Sequence, residues 1–379
     1  MRIAHFVTHP IQYFAPLYRA IAVSPDVELT VLFGSDFGTT PSYDPGLCQT
    51  VKYDVPLLDG FQHEFLTNRG DGKPGPKSRS FDCPGLHEVI TKDRFDAVWI
   101  HGWGYHAQRQ VARACRKAGI PYLLRGESTL LEAPLFRPRW LRRRYLHGRL
   151  IRGADICLYV GQENRLFLKS FGVPDRQLFP AHYSVDARFF NSHVVSDNQR
   201  LKTRENLGAC PDDLVVVTVA KLIRRKRVDD VIKAVALCGR NVKLWVIGDG
   251  DQSSDLRALA DTMVPENVCW LGFRNQQELP AILSSADVFV LASDEETWGL
   301  VVNEAMACGL PVVLSDLACF HDYDHDEEFA TFVPPGDAAG FAAALQDLAK
   351  SAEQRQSWAR ASLEVSRNHS FERHVVAIE

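Results

Sequence analysis

Three features that would indicate other classes of protein are missing from this sequence of 379 residues. No apolar run approaches the roughly 18 residues needed to cross a bilayer, and the start of the chain lacks the small-residue cleavage site of a secretory signal. The nine cysteines are scattered, odd in number and without a C-x-x-C pair, which argues against a disulfide framework and a zinc site. We therefore expect a protein of the reducing cytoplasm.

Charge is distributed unevenly along the chain and argues against nucleic acid as a partner. Residues 1–190 carry seven more basic than acidic side chains, whereas the remaining residues carry eleven more acidic than basic ones. The basic excess is too small, and nucleic-acid-binding motifs are too scarce, for recognition of DNA or RNA. The two halves are expected to have different electrostatic roles.

Short β-branched runs alternate with helical segments along most of the chain, which is typical of parallel βαβ units. The pattern predicts strands at 2–8, 27–34, 97–102, 214–220, 242–247, 268–273 and 288–292, and helices at 12–24, 228–237 and 300–308. It becomes irregular between about residues 186 and 212. We predict an α/β fold with two Rossmann-like, doubly wound domains that meet near residue 190.

Ligands of doubly wound sheets bind beyond the carboxyl ends of the strands, so the loops that follow strands are the places to search for chemistry. The stretch 38–80 is rich in Gly, Pro, Asp and Lys and is predicted to be a long irregular excursion, which is usually functional or mobile. The first strand is followed by His9, Pro10 and Gln12 without a G-x-G turn. A dinucleotide cofactor is therefore not expected there.

Two glutamates follow the predicted strand 288–292. Glu296 lies in the loop, and Glu304 lies just over one turn into a predicted helix, so both carboxylates can reach a ligand across the helix start. A carboxylate accepts two hydrogen bonds side by side, which suits the vicinal diol of a ribose or a hexose. The free amides of Gly299, Leu300 and Val301 suit a diphosphate or a sugar hydroxyl. The alternative is a solvated Glu296 and an exposed helical Glu304.

A cationic turn and a glycine turn follow two other strands of the second half. Lys221 and Lys226 come after the strand 214–220 with three arginines beside them, and such a turn is a place for a phosphate. A solvated loop is the alternative. Gly248 and Gly250 follow the strand 242–247, where a backbone without side chains can approach a ligand closely.

In this order, the three elements resemble the donor domain of glycosyltransferase family four over residues 215–316. The family signatures are a G-R-L-x-x-x-K-G turn, a G-x-G turn and an E-x7-E motif before E-A-M-A-x-G-x-P-V, and the run beginning at Glu296 follows the last one closely. The first turn departs from the pattern at Ala220, Lys221 and Arg227, where the family has Gly, Arg and Gly. Lysine keeps the charge of arginine but loses its bidentate fork.

The resemblance implies a fold, a reaction and partners. Family members are GT-B enzymes with two domains facing a central cleft, so residues 1–190 would bind the acceptor, residues 191–365 the nucleotide sugar, and residues 366–379 would form a helix returning to the first domain. The reaction would transfer a sugar, with retention, from a UDP- or GDP-sugar to a glycan or lipid-linked glycan in polysaccharide biosynthesis. No cofactor and no metal would be required besides the nucleotide-sugar co-substrate.

The resemblance also implies roles for the donor-side residues. Glu304 would hold the ribose hydroxyls and Glu296 the hydroxyls of the donor sugar. Lys221 and Lys226 would neutralise the departing diphosphate together with the helix terminus, which would allow the reaction to run without Mg²⁺. The acidic run 322–328 is interpreted as a solvated loop and not as a metal site. The other expected donor-binding residues are Thr297, Trp298, Gly299, Leu300, Gly248, Gly250 and Arg274.

Polar residues at the strand ends of the first half are candidates for the acceptor side. His9 and Gln12 follow the first strand, and His101 ends the strand 97–102; each either hydrogen-bonds to acceptor or diphosphate or has a structural role. By the resemblance, Glu127 falls about where many family members have a His that touches the donor sugar. A carboxylate there can act as a base toward an acceptor hydroxyl or stabilise positive charge at the anomeric carbon. The alternative is a scaffolding pair of Glu127 with Arg125.

The stretch 137–152 contains seven arginines and no acidic residue. Basic segments with Trp and Tyr can hold a peripheral enzyme on anionic lipid, which favours contact with the inner face of a membrane. On a helical wheel, however, the apolar residues of this stretch spread around most of the circumference. A partly buried helix with solvated arginines is therefore the alternative.

Two further classes of function remain open from the sequence. A sugar-nucleotide epimerase can share the plan of two Rossmann-like domains, but it would release an altered sugar without any acceptor. A non-catalytic sugar-nucleotide sensor would bind the donor without turnover. Analysis of the products distinguishes the three classes.

Overall fold

Alternation of apolar strands with helices builds two separate parallel sheets in this chain. The computed structural model describes residues 1–92, 95–130, 138–323, 328–371 and 375, without the side chains of residues 139, 140, 143 and 318. One compact unit contains Met1–Ser42, Val55–Tyr183 and Phe371, and the other contains Tyr43–Asp54 and Ser184–Ser370. The chain therefore has the α/β fold with two doubly wound sheets that the sequence predicts.

The first unit is built on seven parallel strands. The strands are β1 (Arg2–Val7), β2 (Glu28–Phe33), β5 (Gln62–Phe65), β6 (Ala97–His101), β7 (Tyr122–Arg125), β8 (Ile156–Tyr159) and β9 (Leu178–Pro180), while β3 (Ser42–Asp44) and β4 (Gln49–Val51) pair separately. The helices are α1 (Phe14–Ala22), α2 (Leu86–Lys92), α3 (His106–Ala118), α4 (Pro138–Ile151) and α5 (Gln162–Ser170). The order across the sheet is β5-β2-β1-β6-β7-β8-β9. The central strands are buried because helices cover both faces.

The second unit is built on six parallel strands. The strands are β10 (Leu214–Val219), β11 (Val242–Ile247), β12 (Val268–Gly272), β13 (Val288–Leu291), β14 (Val312–Ser315) and β15 (Ala330–Val333), in the order β12-β11-β10-β13-β14-β15. The helices are α6 (Ala187–Ser192), α7 (Asp197–Asn206), α8 (Val228–Cys238), α9 (Ser253–Met263), α10 (Leu279–Leu283), α11 (Leu300–Ala307), α12 (Ala338–Lys350) and α13 (Ala352–Asn368). Each strand and helix that the sequence predicts is confirmed, with its ends within two residues.

Most of the stretch 38–80 is irregular, as the sequence predicts, but it also contains three short strands that the prediction missed. Strand β5 joins the edge of the first sheet with Gln62 opposite Thr30 on β2, and β3 pairs with β4. The sequence of β5 is QHEF and all four residues are exposed. An exposed edge strand has no buried face, and therefore no apolar alternation marks it in the sequence.

Residues 43–54 belong to the second unit, although the sequence pattern includes them in the domain 1–190. Their side chains form bonds with that unit: Asp44 pairs with Lys221, and Asp54 accepts the backbone N–H of Gln277 at 3.1 Å. These contacts join residues more than 170 positions apart in the chain. No local pattern in the sequence reveals them.

Two sequence predictions fall largely on residues that lie outside the described part of the chain. Helix α13 ends at Asn368, and the predicted C-terminal helix 366–379 includes residues 372–374 and 376–379, which are not described. The acidic run 322–328 includes residues 324–327, which are likewise outside it. Within the described ranges, no helix is both long and apolar enough to span a bilayer.

A buried ion pair fastens α7 to the amino ends of the second sheet. Arg204 is 3% exposed and donates to Asp287 Oδ2 at 2.9 Å. The same oxygen accepts the backbone N–H of Val215 at 2.7 Å, just inside β10. Because β13 begins directly after Asp287, one carboxylate connects a helix with two neighbouring strands.

We expect Asp287→Ala to lower the free energy of unfolding by about 3–5 kcal/mol, because it leaves the Arg204 charge buried without its partner. Urea denaturation monitored by circular dichroism measures this change. The matched control is Asp347→Ala, which removes one side of an exposed pair with Lys350 and should leave the midpoint nearly unchanged. Equal midpoints for the two variants would show that the buried pair does not stabilise the unit.

Candidate functional site

The carboxylate of Glu304 is buried near the start of α11. The helix begins after Gly299, whose φ of 80° is left-handed, and Glu304 is 1% exposed. The alternative of an exposed helical glutamate was therefore wrong. Glu304 Oε1 lies 3.5 Å from Gln276 Nε2, whereas Oε2 has no hydrogen-bond partner among the described residues. A buried polar atom without a partner is costly, and its presence in a native fold indicates a ligand site.

The surroundings of Glu304 change its acidity. Burial raises the pKa of the Glu304 carboxyl from 4.5 to about 8, and the hydrogen bond from Gln276 opposes this rise only in part. Gln276 is itself 7% exposed, and its Oε1 lacks a partner among the described residues. The sequence analysis missed Gln276, because a glutamine in a polar loop gives no sign of burial. In the sequence, the feature that could have indicated a role for Gln276 in the site is its position shortly after the predicted strand 268–273.

The second glutamate is bonded to the cationic turn. Lys226 donates a short hydrogen bond to Glu296 Oε1, which also accepts the Ser293 hydroxyl at 3.0 Å. The side chains of Lys226 and Glu296 are only 14% and 10% exposed. The backbone N–H of Asp294 also donates to the carbonyl of Arg225 at 2.8 Å. The loops after the neighbouring strands β10 and β13 are thus joined, and Glu296 is not a solvated residue.

Lys221 is paired with a residue far away in the sequence. Its ammonium group donates to both oxygens of Asp44, each at 2.9 Å. Burial alone would raise the pKa of Asp44, but the hydrogen bond and charge of Lys221 outweigh it, so this pKa lies below its usual value. Both lysines of the cationic turn are therefore bonded to carboxylates. An anionic ligand of this turn would exchange with them.

Arg227 gives a physical reason for one departure from the family pattern. It has a φ of 48° and a ψ of 41°, a left-handed conformation that glycine adopts freely and other residues adopt at a cost of roughly 1 kcal/mol or more. Its guanidinium bonds to Asp230, at the start of α8, and to Asp294 at 3.2 Å. The two ion pairs offset the strain of an arginine where the family has glycine.

The glycines after β11 pack against protein backbone. A Cβ atom on Gly248 would lie 1.8 Å from the carbonyl oxygen of Ala220, and one on Gly250 would lie 2.4 Å from that of Leu222. The sequence analysis expected these glycines to approach a ligand closely. The structure shows that their close contact is with the cationic turn, which they allow to sit directly beside β11.

The remaining donor-side residues differ in their exposure. Trp298 is 2% exposed, and its indole N–H donates to Asn303 Oδ1 at 3.0 Å, so its side chain lies inside the unit. Thr297, Gly299 and Leu300 are half-buried. Arg274 pairs with Glu278 at 3.0 Å. Among these residues Trp298 is buried, whereas Thr297, Gly299, Leu300 and Arg274 are accessible to a ligand.

In the first unit, the ends of β6 and β7 bring a histidine, a carboxylate and a tyrosine together. His101 Nε2 lies 3.6 Å from Glu127 Oε1, and the Tyr183 hydroxyl donates a short hydrogen bond to the same oxygen. Arg125 is fully buried, with its guanidinium 4.3 Å from the centre of the Tyr183 ring. Glu127 itself is 48% exposed. Its carboxylate is both fixed by neighbours and open to a ligand.

The turn after β1 places a neutral histidine near this group. Burial, with a smaller contribution from His101, lowers the pKa of His9 to about 4. The Thr8 hydroxyl lies 2.9 Å from His9 Nδ1. Gln12 is half-buried in the same turn. Within the described ranges, no three His, Cys, Asp or Glu side chains are placed to hold a metal ion.

Comparison with family models and curated proteins identifies relatives of this chain. Residues 199–365 match the family model of glycosyl transferases group 1. The phosphatidyl-myo-inositol mannosyltransferase of Mycobacterium leprae is 35% identical over 143 residues, which are 38% of this chain and 38% of that protein. A GDP-mannose-dependent monoacylated alpha-(1-6)-phosphatidylinositol monomannoside mannosyltransferase of Corynebacterium glutamicum is 33% identical over 172 residues, 42% of this chain and 44% of that one. The chain thus matches less than half the length of these relatives.

Comparison with solved structures extends over the whole chain. The crystal structure of Anabaena HepE in complex with UDP and glucose aligns with a TM-score of 0.75 and 18% identity, covering 100% of this chain and 98% of that one. The likeness identifies the fold as GT-B.

We expect the stability of the chain to report the buried state of Glu304. Because its folded-state pKa of about 8 exceeds the ordinary 4.5, the free energy of unfolding of the unaltered chain should fall as pH rises between these values. Glu304→Gln does not titrate. Its advantage over the unaltered chain should therefore grow over that window, by on the order of a few kcal/mol. Urea denaturation at pH 5, 7 and 9 measures the difference, and a constant difference would contradict the burial.

Proposed function

We propose that the whole chain is a metal-independent retaining glycosyltransferase, a proposal supported by the match of residues 199–365 to the family model of glycosyl transferases group 1. It transfers a sugar from a UDP- or GDP-sugar to a glycan or lipid-linked glycan acceptor. The observation that carries this proposal is the buried Glu304 carboxylate with its unpartnered oxygen. A ribose diol supplies two adjacent hydroxyl donors, which favour the ionised, acceptor-only form of this carboxyl over the protonated form that burial favours.

The second unit provides groups for each part of the donor. Glu304 and Gln276 hold the ribose, and Glu296 binds hydroxyls of the transferred sugar. The diphosphate binds at the cationic turn and at the amides that begin α11, where the helix dipole favours negative charge. These fixed positive groups stabilise the charge that develops on the leaving diphosphate, which is the role of a metal ion in other transferases.

Lys226 changes partner in this mechanism. In the ligand-free chain it is bonded to Glu296, and the donor's diphosphate offers it a second anionic partner. Lys226 then neutralises the leaving group while Glu296 turns to sugar hydroxyls. Because both side chains are largely buried, their interaction with ligand charges is screened less than at the surface.

The first unit acts on the acceptor in this proposal. Glu127 accepts the proton of the acceptor hydroxyl or stabilises positive charge at the anomeric carbon, and its exposed carboxylate is fixed by Tyr183 and His101. His9 is neutral at physiological pH because of its lowered pKa, so it offers a hydrogen bond without charge. Attack occurs from the face that the diphosphate leaves, since the described site offers no obvious covalent nucleophile.

We expect Glu304→Ala and Lys226→Ala to reduce kcat/KM for the nucleotide sugar by about 10- to 100-fold or more, as for the loss of hydrogen bonds to charged groups. Steady-state kinetics measures the loss, with UDP- and GDP-sugars chosen by a thermal-shift panel. Glu266→Ala and Lys202→Ala alter exposed residues of the same types and serve as controls. Unchanged kinetics in both site variants would exclude this donor site.

Turnover should be insensitive to EDTA, because lysines and a helix terminus provide the positive charge. Strong inhibition by EDTA that Mn²⁺ reverses would contradict the metal-independent mechanism.

NMR of the first product should show the anomeric configuration of the donor, and an inverted product would contradict retention. Release of an altered nucleotide sugar without acceptor would indicate the epimerase, although the relatives named above are transferases by name.

We also propose that α4 binds an anionic membrane surface. The apolar residues of the helix form two groups: Leu150 and Ile151 are buried, whereas Leu141, Tyr145 and Leu146 are 54%, 87% and 46% exposed. The helical wheel drawn from the sequence does not distinguish buried from exposed apolar residues, so the exposed group cannot be recognised from it. Leu141 and Tyr145 are four residues apart and share one face of the helix, while Leu146 lies about 100° from Tyr145 around the axis.

Arginines lie among the exposed apolar residues of α4. Arg142, Arg149 and Arg152 are exposed, while Arg144 is bonded to the carbonyl of Ser170 and has a structural role. An exposed aromatic and aliphatic stripe beside free cationic groups is typical of helices that lie at a lipid interface. The lipid-linked acceptor of the proposal resides at such a surface.

The triple variant Leu141→Ser, Tyr145→Ser and Leu146→Ser should lose most binding to phosphatidylglycerol vesicles, by about tenfold or more, because the apolar contacts are removed. Co-sedimentation measures binding. The control variant Leu201→Ser with Leu237→Ser alters apolar residues that are similarly exposed elsewhere. Equal binding by both variants would show that α4 is not the membrane contact.

A further inference from the structure

Residues 43–54 cross from the cationic turn to the loop after β12, and we call them the strap. At one end, Asp44 is bonded to Lys221. At the other end, the Lys52 carbonyl accepts from Asn275 Nδ2 at 3.0 Å, and the Asp54 carbonyl accepts from Gln277 Nε2 at 2.9 Å. In the proposed function, the first of these ends is where the diphosphate binds, and the second adjoins Gln276, which holds the ribose.

Asp44 presents its carboxylate to Lys221 as an anionic ligand would. Both of its oxygens lie 2.9 Å from the ammonium nitrogen. Oδ1 also accepts the backbone N–H groups of Gly46 and Leu47, at 2.8 and 3.2 Å, so the strap itself orients the carboxylate. A Cβ atom on Gly46 would lie 2.8 Å from Lys221 Cδ, which shows that the turn is packed directly on the lysine.

The other end of the strap shields polar atoms without satisfying them. Within the described ranges, five buried atoms in or near this contact have no hydrogen-bond partner: Gln49 Nε2, Asp54 Oδ1, Arg274 Nε, Asn275 Oδ1 and Gln276 Oε1. Such atoms are each unfavourable when buried, and a native fold contains few of them. Donors and acceptors are both present, as in the hydrogen-bonding edge of a nucleobase. The contact of strap and loop therefore leaves polar groups available to a ligand.

We propose that the strap covers the donor site and that Asp44 competes with the donor's diphosphate for Lys221. The donor displaces Asp44, and the strap then opens or shifts to expose the shielded polar atoms to the nucleobase. This inference rests on the proposed function, because it requires a donor diphosphate at Lys221. Asp44, which lies outside the family motifs, is thereby a determinant of donor affinity.

Competition between Asp44 and the diphosphate for Lys221 predicts a measurable change in nucleotide affinity. The side chains of Lys221 and Asp44 are 44% and 21% exposed, and ion pairs of this partly exposed kind contribute up to about 1 kcal/mol, which corresponds to about fivefold in affinity. We therefore expect Asp44→Asn to bind UDP or GDP about three- to fivefold more tightly than the unaltered chain, as measured by isothermal titration calorimetry. The gain should disappear when Lys221 is replaced by alanine.

The control Asp59→Asn removes the same charge from an exposed residue outside the strap and should leave nucleotide affinity unchanged. Weaker or equal binding by Asp44→Asn would overturn the competition. The proposed function is tested separately: if Glu304→Ala and Lys226→Ala bind nucleotide normally, the donor site itself is wrong. If they lose binding while Asp44→Asn behaves as the unaltered chain, only the role of the strap is wrong.

Hydrogen exchange of the intact protein tests the opening directly. Peptides covering residues 43–54 should exchange faster when UDP or GDP is bound, and the Asp44→Asn chain should show faster exchange without nucleotide. The loop between β13 and α11 serves as the internal control, since bound nucleotide should protect it. Slower exchange of the strap upon binding would overturn displacement and show that the strap is a fixed wall of the site.

Discussion

The ion pair of Lys226 and Glu296 is the interaction on which the strand-end loops of the second unit depend. It joins the loops after β10 and β13, neighbours in the sheet, and does so where little solvent reaches either charge. Two ionic groups in such a place are stable only when each compensates the other. Lys221 is compensated in the same way by Asp44, and Arg227 by Asp230 and Asp294. The sequence of the turn is therefore cationic, but in the structure carboxylates neutralise these three cationic side chains. An anionic ligand that binds to the turn must replace some of these carboxylates as the partner of a cationic side chain.

The fold was predictable wherever burial on both faces gives a strand a continuous apolar run. Strands β10, β11 and β13 are of this kind, and the sequence places them within two residues of their observed ends. Strand β5 was missed because all four of its residues are exposed, and β3 and β4 were missed because each is only three residues long, too short to show an alternating pattern. The assignment of 43–54 to the second unit depends on bonds with Lys221 and Gln277, and sequence periodicity carries no information about such distant partners.

The candidate site was predictable in position and less so in chemistry. The spacing of Glu296 and Glu304 at a helix start correctly indicated that both side chains lie at one end of the sheet. That Glu304 is buried and has its pKa raised follows from neighbours such as Gln276, which only the folded chain brings close. Gly248 illustrates the opposite case, because the motif is present but its small size serves packing against Ala220. A motif thus fixes where the chain can bind a ligand, while packing decides which atoms of the motif are available for it.

The left-handed backbone of Arg227 affects how readily the adjoining lysine can act. A glycine at this position would leave the turn many accessible conformations, each of which would have to be given up when a ligand is held. Arg227, bonded to one carboxylate on α8 and another after β13, restricts the turn before any ligand arrives. The conformational entropy that Lys226 would lose on binding is in this way already lost during folding, and the site is pre-organised at the expense of backbone strain.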